Sequence, residues 1–142
     1  MPEDEFQHFR DAQLPVYNDV VAELAAGRKR SHWMWFIFPQ LQGLGRSEMA
    51  QRFALSSVDQ ARRYAADPEL GRRLRQCAEI VNRIEAKNIT DIFGYPDDLK
   101  FHSSMTLFVL ASPGNSPFNS ALTKFFGGKM DGRTIELLQG VP

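Results

Sequence analysis

The chain has 142 residues, 43% hydrophobic and 24% charged, the size and balance of one globular domain. Its 17 basic and 17 acidic residues cancel, which argues against a protein that binds nucleic acid by neutralising phosphates. No apolar run approaches the ~20 residues that span a bilayer, the acidic Glu3-Asp4-Glu5 start lacks a signal-peptide core, and the single Cys77 excludes an internal disulfide and fits a reducing cytoplasm.

In chain order, Phe6, Phe9, Gln13, Val16, Tyr17, Val20 and Leu24 recur at helical spacing. Glu5 to Ala26 therefore reads as one helix kinked at Pro15, or two abutting ones, ended by Gly27. Arg28-Lys29-Arg30 follow, cations favourable at a helix C-terminus. The densest apolar run comes next, Trp33-Met34-Trp35-Phe36-Ile37-Phe38, with four aromatics in six residues. Ser31 is positioned to cap a short helix that Pro39 ends, with an extended segment as the alternative. Gly43-Leu44-Gly45 reads as a turn.

Ser47 and Ser57 are placed as N-caps, the latter with Gln60 in a capping box. Asp67-Pro68 starts a helix, with Leu70, Leu74, Cys77, Val81 and Ile84 as its apolar stripe through Ala86. Cys77 on that stripe reads as a buried small hydrophobe. Thr90 to Phe93 form one turn stopped by Gly94. Asp97 is placed to cap a helix from Asp98 to Ala111, with Phe101, Met105, Phe108 and Val109 on its apolar side. Ser116-Pro117 opens another, ended at Gly127-Gly128, and Asp131 caps a last one, Gly132 to Gln139. No hairpin signal or repeat appears. The reading is a single all-α domain over residues 1–142, compact, multi-helical and non-bundle, with about seven helices.

At two places these residues carry a resemblance. Gly27-x-Lys29-x-Ser31-His32-Trp33-Met34-Trp35-Phe36-Ile37-Phe38-Pro39-Gln40 with Gly43-Leu44-Gly45, and Asp91-Ile92-Phe93-Gly94-x-Pro96-Asp97-Asp98-Leu99-Lys100-x-x-Ser103-Ser104-Met105-Thr106-Leu107-Phe108, are similar to the family catalogued as domain of unknown function 1810, some of whose members carry the label calpastatin. The similarity runs from Phe9 to Leu138 and implies a mainly helical, cytoplasmic protein. More weakly, Phe9-x-x-Ala12-Gln13 and Ala121-Leu122-x-Lys124-Phe125 resemble short motifs of NADAR domains, in a different order and spacing along the chain. That second likeness implies an N-glycosidic hydrolase acting on ADP-ribosyl groups.

Polar residues outside the apolar pattern gather in two stretches: Lys29, Ser31, His32 and Gln40 around the aromatic run, and Asp98, Lys100, Ser103 and Ser104 at a helix start. The expectation is that both face one cleft, which binds and hydrolyses a nucleotide-like ligand. Lys29 and Lys100 would hold phosphate, Trp33 or Trp35 would carry the base, and Ser31, Gln40, Ser103 and Ser104 would complete the polar contacts. Asp98 would be the general base or ribose holder, with His32 as its catalytic partner. The plainer readings are that Asp98 favours the helix dipole, His32 is a hydrogen-bonded core residue and both tryptophans are core. No Cys/His spacing for a metal exists, and no cofactor or membrane partner is expected. The competing function is a non-enzymatic protein-interaction module that docks through Trp33–Phe38.

Overall fold

A computed structural model describes residues 4–140, and among them it is all-α. The N-terminal pattern forms two helices, α1 (Gln7–Gln13) and α2 (Tyr17–Ala25), because Pro15 has no N–H to continue the ladder. Then follow α3 (Met34–Ile37), α4 (Glu48–Arg52), α5 (Val58–Ala66), α6 (Leu70–Asn82), α7 (Ile89–Phe93), α8 (Asp97–Ala111), α9 (Pro117–Phe126) and α10 (Gly132–Leu138). Ten helices stand where about seven were expected. The surplus comes from the split at Pro15 and from one-turn pieces such as α3 and α7. Among the described residues the one extended pairing is an isolated parallel bridge between Leu41 and Leu55.

Local chemistry explains most boundaries. The hydroxyls of Ser47, Ser57 and Ser116 accept the N–H of Ala50, Gln60 and Asn119. Gln60 turns its amide to the Ser56 N–H, so the second arm of the expected capping box is shifted by one residue. Asp67 accepts from the N–H of Glu69 and Leu70, although regular helix begins only at Leu70. The expected continuation of α6 to Ala86 stops at Asn82, where the Lys124 ammonium donates to the carbonyls of Asn82 and Ile84 at 2.6 and 2.7 Å.

Helix α8 is the centre. It packs against α5, α7, α9 and α10 and buries Phe101, Ser103 through Phe108, and Ala111. The one-sided amphipathic pattern expected for it is therefore corrected: Ser103, Ser104 and Thr106 are interior, and Val109 is only half-buried. The Thr106 hydroxyl bonds within the helix to the His102 carbonyl, and the Ser103 hydroxyl shares its one hydrogen between the Leu99 carbonyl at 3.1 Å and Asp131 Oδ2 at 2.9 Å. Helical hydroxyls of this kind can lie against apolar neighbours with their hydrogen satisfied.

Two polar contacts bind the elements together. Gln13 is buried; its amide donates to the Phe36 carbonyl at 2.8 Å and to the Tyr64 hydroxyl at 3.1 Å, and accepts from Arg73 at 3.2 Å. It thus joins α1, α3, α5 and α6. Of the two short motifs, Phe9, Gln13, Ala121 and Leu122 are buried, Ala12 and Phe125 are half-buried and Lys124 is exposed.

The second contact is Glu23 on α2. One carboxylate oxygen accepts from the N–H of Arg30 at 2.6 Å, the N–H of Ser31 at 2.9 Å and the indole of Trp33 at 3.0 Å; the other takes the Ser31 hydroxyl at 2.5 Å. Ser31 is therefore held by Glu23 and does not cap α3, whose N-cap is Trp33. Partial burial pushes the Glu23 carboxyl upward, but the donors from Ser31, Arg30 and Trp33 outweigh it and hold it at about 2. Along the run, Trp33, Met34, Phe36, Ile37 and Phe38 are buried, and Trp35 alone is half-buried.

Two predictions follow from this packing. A Cβ at Gly71 would lie 2.1 Å from the Ala65 carbonyl oxygen. Helix propensity alone gives Gly71→Ala a gain of ~1 kcal/mol, whereas forcing α5 and α6 apart costs ~1–3 kcal/mol. Gly71→Ala is expected to lower the midpoint of chemical denaturation, and a raised midpoint would contradict the close approach. For Glu23, the folded carboxyl titrates at about 2 against an ordinary 4.5. Its contribution to stability is complete above about 4.5 and is lost as the pH falls towards about 2. Denaturation of wild type and Glu23→Gln over that window should show a stability gap that closes on acidification; a constant gap would refute the role.

Candidate functional site

The start of α8 and the aromatic run meet at Asp97. Its carboxylate pairs with Lys29 at 2.9 Å and with Lys100, one turn along α8, at 3.4 Å. Lys29 lies over the Trp33 ring at 5.1 Å and Lys100 over the Trp35 ring at 5.5 Å, separations within the range of cation–π attraction. Asp97 was expected to cap α8 but makes no side-chain cap bond. Two ammonium groups compete for its oxygens, and Lys29, with a side chain 8% exposed, needs a counter-charge more than the helix needs a cap. The backbone fixes the same junction, since the Lys29 N–H donates to the Ile92 carbonyl at 2.8 Å.

Beside this junction lies a cavity of about 290 Å³ lined by Gln40, Leu44, Gly45, Pro96, Leu99, Lys100, Ser103, Asp131 and Arg133. Three structures build it. The Gly43–Gly45 turn supplies one wall; Gly43 has φ +102°, and Gly45 sits so close to α4 that a Cβ would meet Ala50 Cβ at 2.5 Å. The first two turns of α8 supply Leu99, Lys100 and Ser103. The start of α10 supplies Asp131 and Arg133. A larger depression of about 750 Å³ lies over α1 and the end of α5, but there Arg10 is paired with Asp4 and Asp67, and Arg63 with Glu5, whereas in the smaller cavity Lys100 shares Asp97 with Lys29 and Arg133 has no ion pair among the described residues.

Asp131 is the carboxylate of the cavity lining. Its Oδ2 accepts the Ser103 hydroxyl at 2.9 Å, the Thr134 hydroxyl at 2.6 Å and the Thr134 N–H at 3.1 Å. All three bonds fall on one oxygen, and Oδ1 has no donor among the described residues. The lining thus combines two cations, a carboxylate with a free oxygen, a hydroxyl and an amide, set among the apolar walls of Leu44, Pro96 and Leu99. Apolar surface continues outward, with Leu99 54% exposed and Tyr95, next to Pro96, 78% exposed.

Of the residues expected at a site, Lys29, Trp33, Trp35 and Lys100 gather around Asp97, and Gln40, Lys100 and Ser103 line the cavity. The others lie elsewhere. His32 is exposed, contrary to its reading as a core histidine, and is not in the cavity lining. Ser31 is committed to Glu23. Asp98 accepts the Thr90 hydroxyl at 2.6 Å and the Leu99 N–H at 2.9 Å, tying α7 to α8. Ser104 is fully buried with its hydroxyl unpartnered, and also outside the lining.

Sequence reasoning missed Asp131 and Arg133 as lining residues. A signal was present in Arg133: it occupies the first turn of α10, where a cation opposes the helix dipole and needs another reason to be there. Among the described residues no group of three His, Cys, Asp or Glu side chains could hold a metal, and no helix is long and apolar enough to cross a membrane.

Comparison with known proteins bears on the family. The chain is similar to the conserved hypothetical protein Rv1873 from Mycobacterium tuberculosis, whose crystal structure superposes with a TM-score of 0.93 at 50% identity, covering 95% of this chain and 96% of that one. No curated protein matches. Residues 3–138 match the family described as Protein of unknown function (DUF1810), and the chain belongs to that family.

Proposed function

We propose that the Gln40–Arg133 cavity binds a small nucleotide-like ligand through its phosphoribosyl portion. The observation that carries this reading is the convergence of Lys100 and Arg133 with Asp131 and Ser103 on one cavity of about 290 Å³. Two cations suit a phosphate, and the arginine presents a planar fork of donors to its oxygens. A carboxylate oxygen without a donor suits a sugar hydroxyl, which must give its hydrogen to something once it leaves water. The volume is at the low end for small-molecule sites and suits one phosphoribosyl unit, with the base resting outside on the exposed surface of Leu99 and Tyr95.

An ADP-ribosyl group falls within this ligand class. If such a ligand is cleaved, Asp131 is the carboxylate in reach. Asp98, the residue first expected in that role, already accepts the Thr90 hydroxyl and a backbone N–H. The competing reading, a docking strip over Trp33–Phe38, draws less support because only Trp35 in that run is half-exposed to solvent.

The test is calorimetric titration and thermal shift with AMP, ADP-ribose and NAD. A ligand at ~100 times its dissociation constant should stabilise the fold by ~2.7 kcal/mol. Lys100→Gln and Arg133→Ala should each weaken binding about ten- to a hundredfold, the loss of a charge-assisted hydrogen bond, while Arg133→Ala leaves the melting temperature of the free protein in place. Added salt should weaken binding further. Absence of binding by all three compounds, or binding indifferent to both substitutions, would contradict the proposal.

A further inference from the structure

We propose that the cleft between the end of α2 and helix α7 is a second anion site, which takes the phosphate group of a small phosphorylated molecule. It measures about 550 Å³ and is lined by Arg28, Lys29, Lys87, Thr90, Asp91 and Gly94 among others. None of these residues except the flanking Lys29 takes part in the Asp97 junction, and none lines the Gln40–Arg133 cavity.

Three cationic side chains share this cleft. Lys29 is matched by Asp97 at 2.9 Å. Asp91, the one acid in the lining, accepts the Asn88 N–H on Oδ2 at 3.2 Å in the cap of α7 and keeps its charge, so three cations stand against one carboxylate in the lining. Arg28 and Lys87 form no ion pair with any described carboxylate. Lys87 is nonetheless held in place, because its ammonium donates to the Gly27 carbonyl at 3.0 Å. An ammonium has three donors, so two remain for a ligand.

The position of Lys87 depends on Gly27. That residue has φ +79°, and a Cβ there would come within 3.2 Å of the Lys87 nitrogen. A left-handed glycine is a common helix terminator; here it also clears the space through which the ammonium reaches its carbonyl. The floor of the cleft is set by the Lys29 N–H bond to the Ile92 carbonyl and by the turn at Gly94. Thr90 has its hydroxyl hydrogen directed to Asp98. The role of Asp98 on this reading is to fix that hydroxyl and the α7–α8 angle.

The arrangement fits an oxyanion with several acceptor oxygens. A guanidinium fork and the two remaining ammonium donors of Lys87, facing one cleft, are matched by the three acceptor oxygens of a phosphate group.

The experiment is a titration of the full chain with inorganic phosphate at constant ionic strength, followed by calorimetry and by amide chemical shifts. Wild type should bind saturably, with shifts at Arg28, Thr90 and Gly94. In the double variant Arg28→Ala, Lys87→Gln, binding at this cleft, followed by the Thr90 and Gly94 shifts, should be at least about tenfold weaker, the loss of a charge-assisted hydrogen bond; both side chains are on exposed residues, and the thermal midpoint checks that the fold is retained. Arg133→Ala should bind at this cleft as wild type does, which separates this proposal from the fate of the Gln40–Arg133 cavity. Non-saturable shifts at Arg28, Thr90 and Gly94 in wild type, saturable shifts at Thr90 and Gly94 unaffected in the double variant, or shifts there lost only in Arg133→Ala would each overturn it.

Discussion

The carboxylate of Glu23 is the contact on which the arrangement around the aromatic run depends. Burial of Trp33, Phe36 and Phe38 supplies much of the driving force, about 1.5–3 kcal/mol for each large side chain, but that force has no direction. Glu23 supplies direction. By taking the N–H groups of Arg30 and Ser31, the Ser31 hydroxyl and the Trp33 indole, it sets how the chain leaves α2 and which way Trp33 enters the core. Lys29 is thereby fixed between the Trp33 ring and Asp97. A buried indole N–H without a partner would cost ~1–3 kcal/mol, so this bond and the burial of Trp33 support each other.

From that anchor the cavity follows by short steps. Lys29 brings Asp97 to the aromatic run, and Asp97 in turn holds Lys100 beside Trp35. Ser103 lies one turn further along α8 and is tied to Asp131, which caps α10 and carries Arg133 two residues on. Ser103 is small and, with Thr106, bonds to Asp131, which brings the start of α10 against the core helix. The Lys100, Ser103 and Asp131 side chains of the cavity wall are therefore held by the same bonds that close the fold and are ordered before any ligand arrives. That lowers the entropic cost of binding.

Features that depend on near neighbours in sequence were legible. The serine caps at Ser47, Ser57 and Ser116, the Asp131 cap, the breaks at Pro15 and Gly94 and the burial of Cys77 all follow from local rules and appear in the structure. Features that depend on distant partners were not. Ser31 has the credentials of an N-cap, and nothing near it shows that a carboxylate eight residues earlier will claim it. Asp97 likewise gives up a cap for a lysine 68 residues away in sequence. Helix α8 looked amphipathic because serine and threonine count as polar; small size lets Ser103, Ser104 and Thr106 into the interior, and Ser103 and Thr106 also bond to the preceding turn. Lys100, Ser103 and Gln40 could be picked out as polar residues beside apolar patterns, whereas Asp131 already had a capping role that concealed its place in the cavity wall.

The most direct measurement of the central claim is amide chemical-shift mapping during titration with ADP-ribose, followed by a crystal structure of the complex. The account predicts perturbations centred on Gly45, Leu99, Lys100, Ser103 and Arg133, with the ligand phosphate between the Lys100 and Arg133 side chains and a sugar hydroxyl on Asp131. Perturbations centred on the exposed His32, or on the depression over α1 and α5, with the Gln40–Arg133 cavity undisturbed, would contradict it.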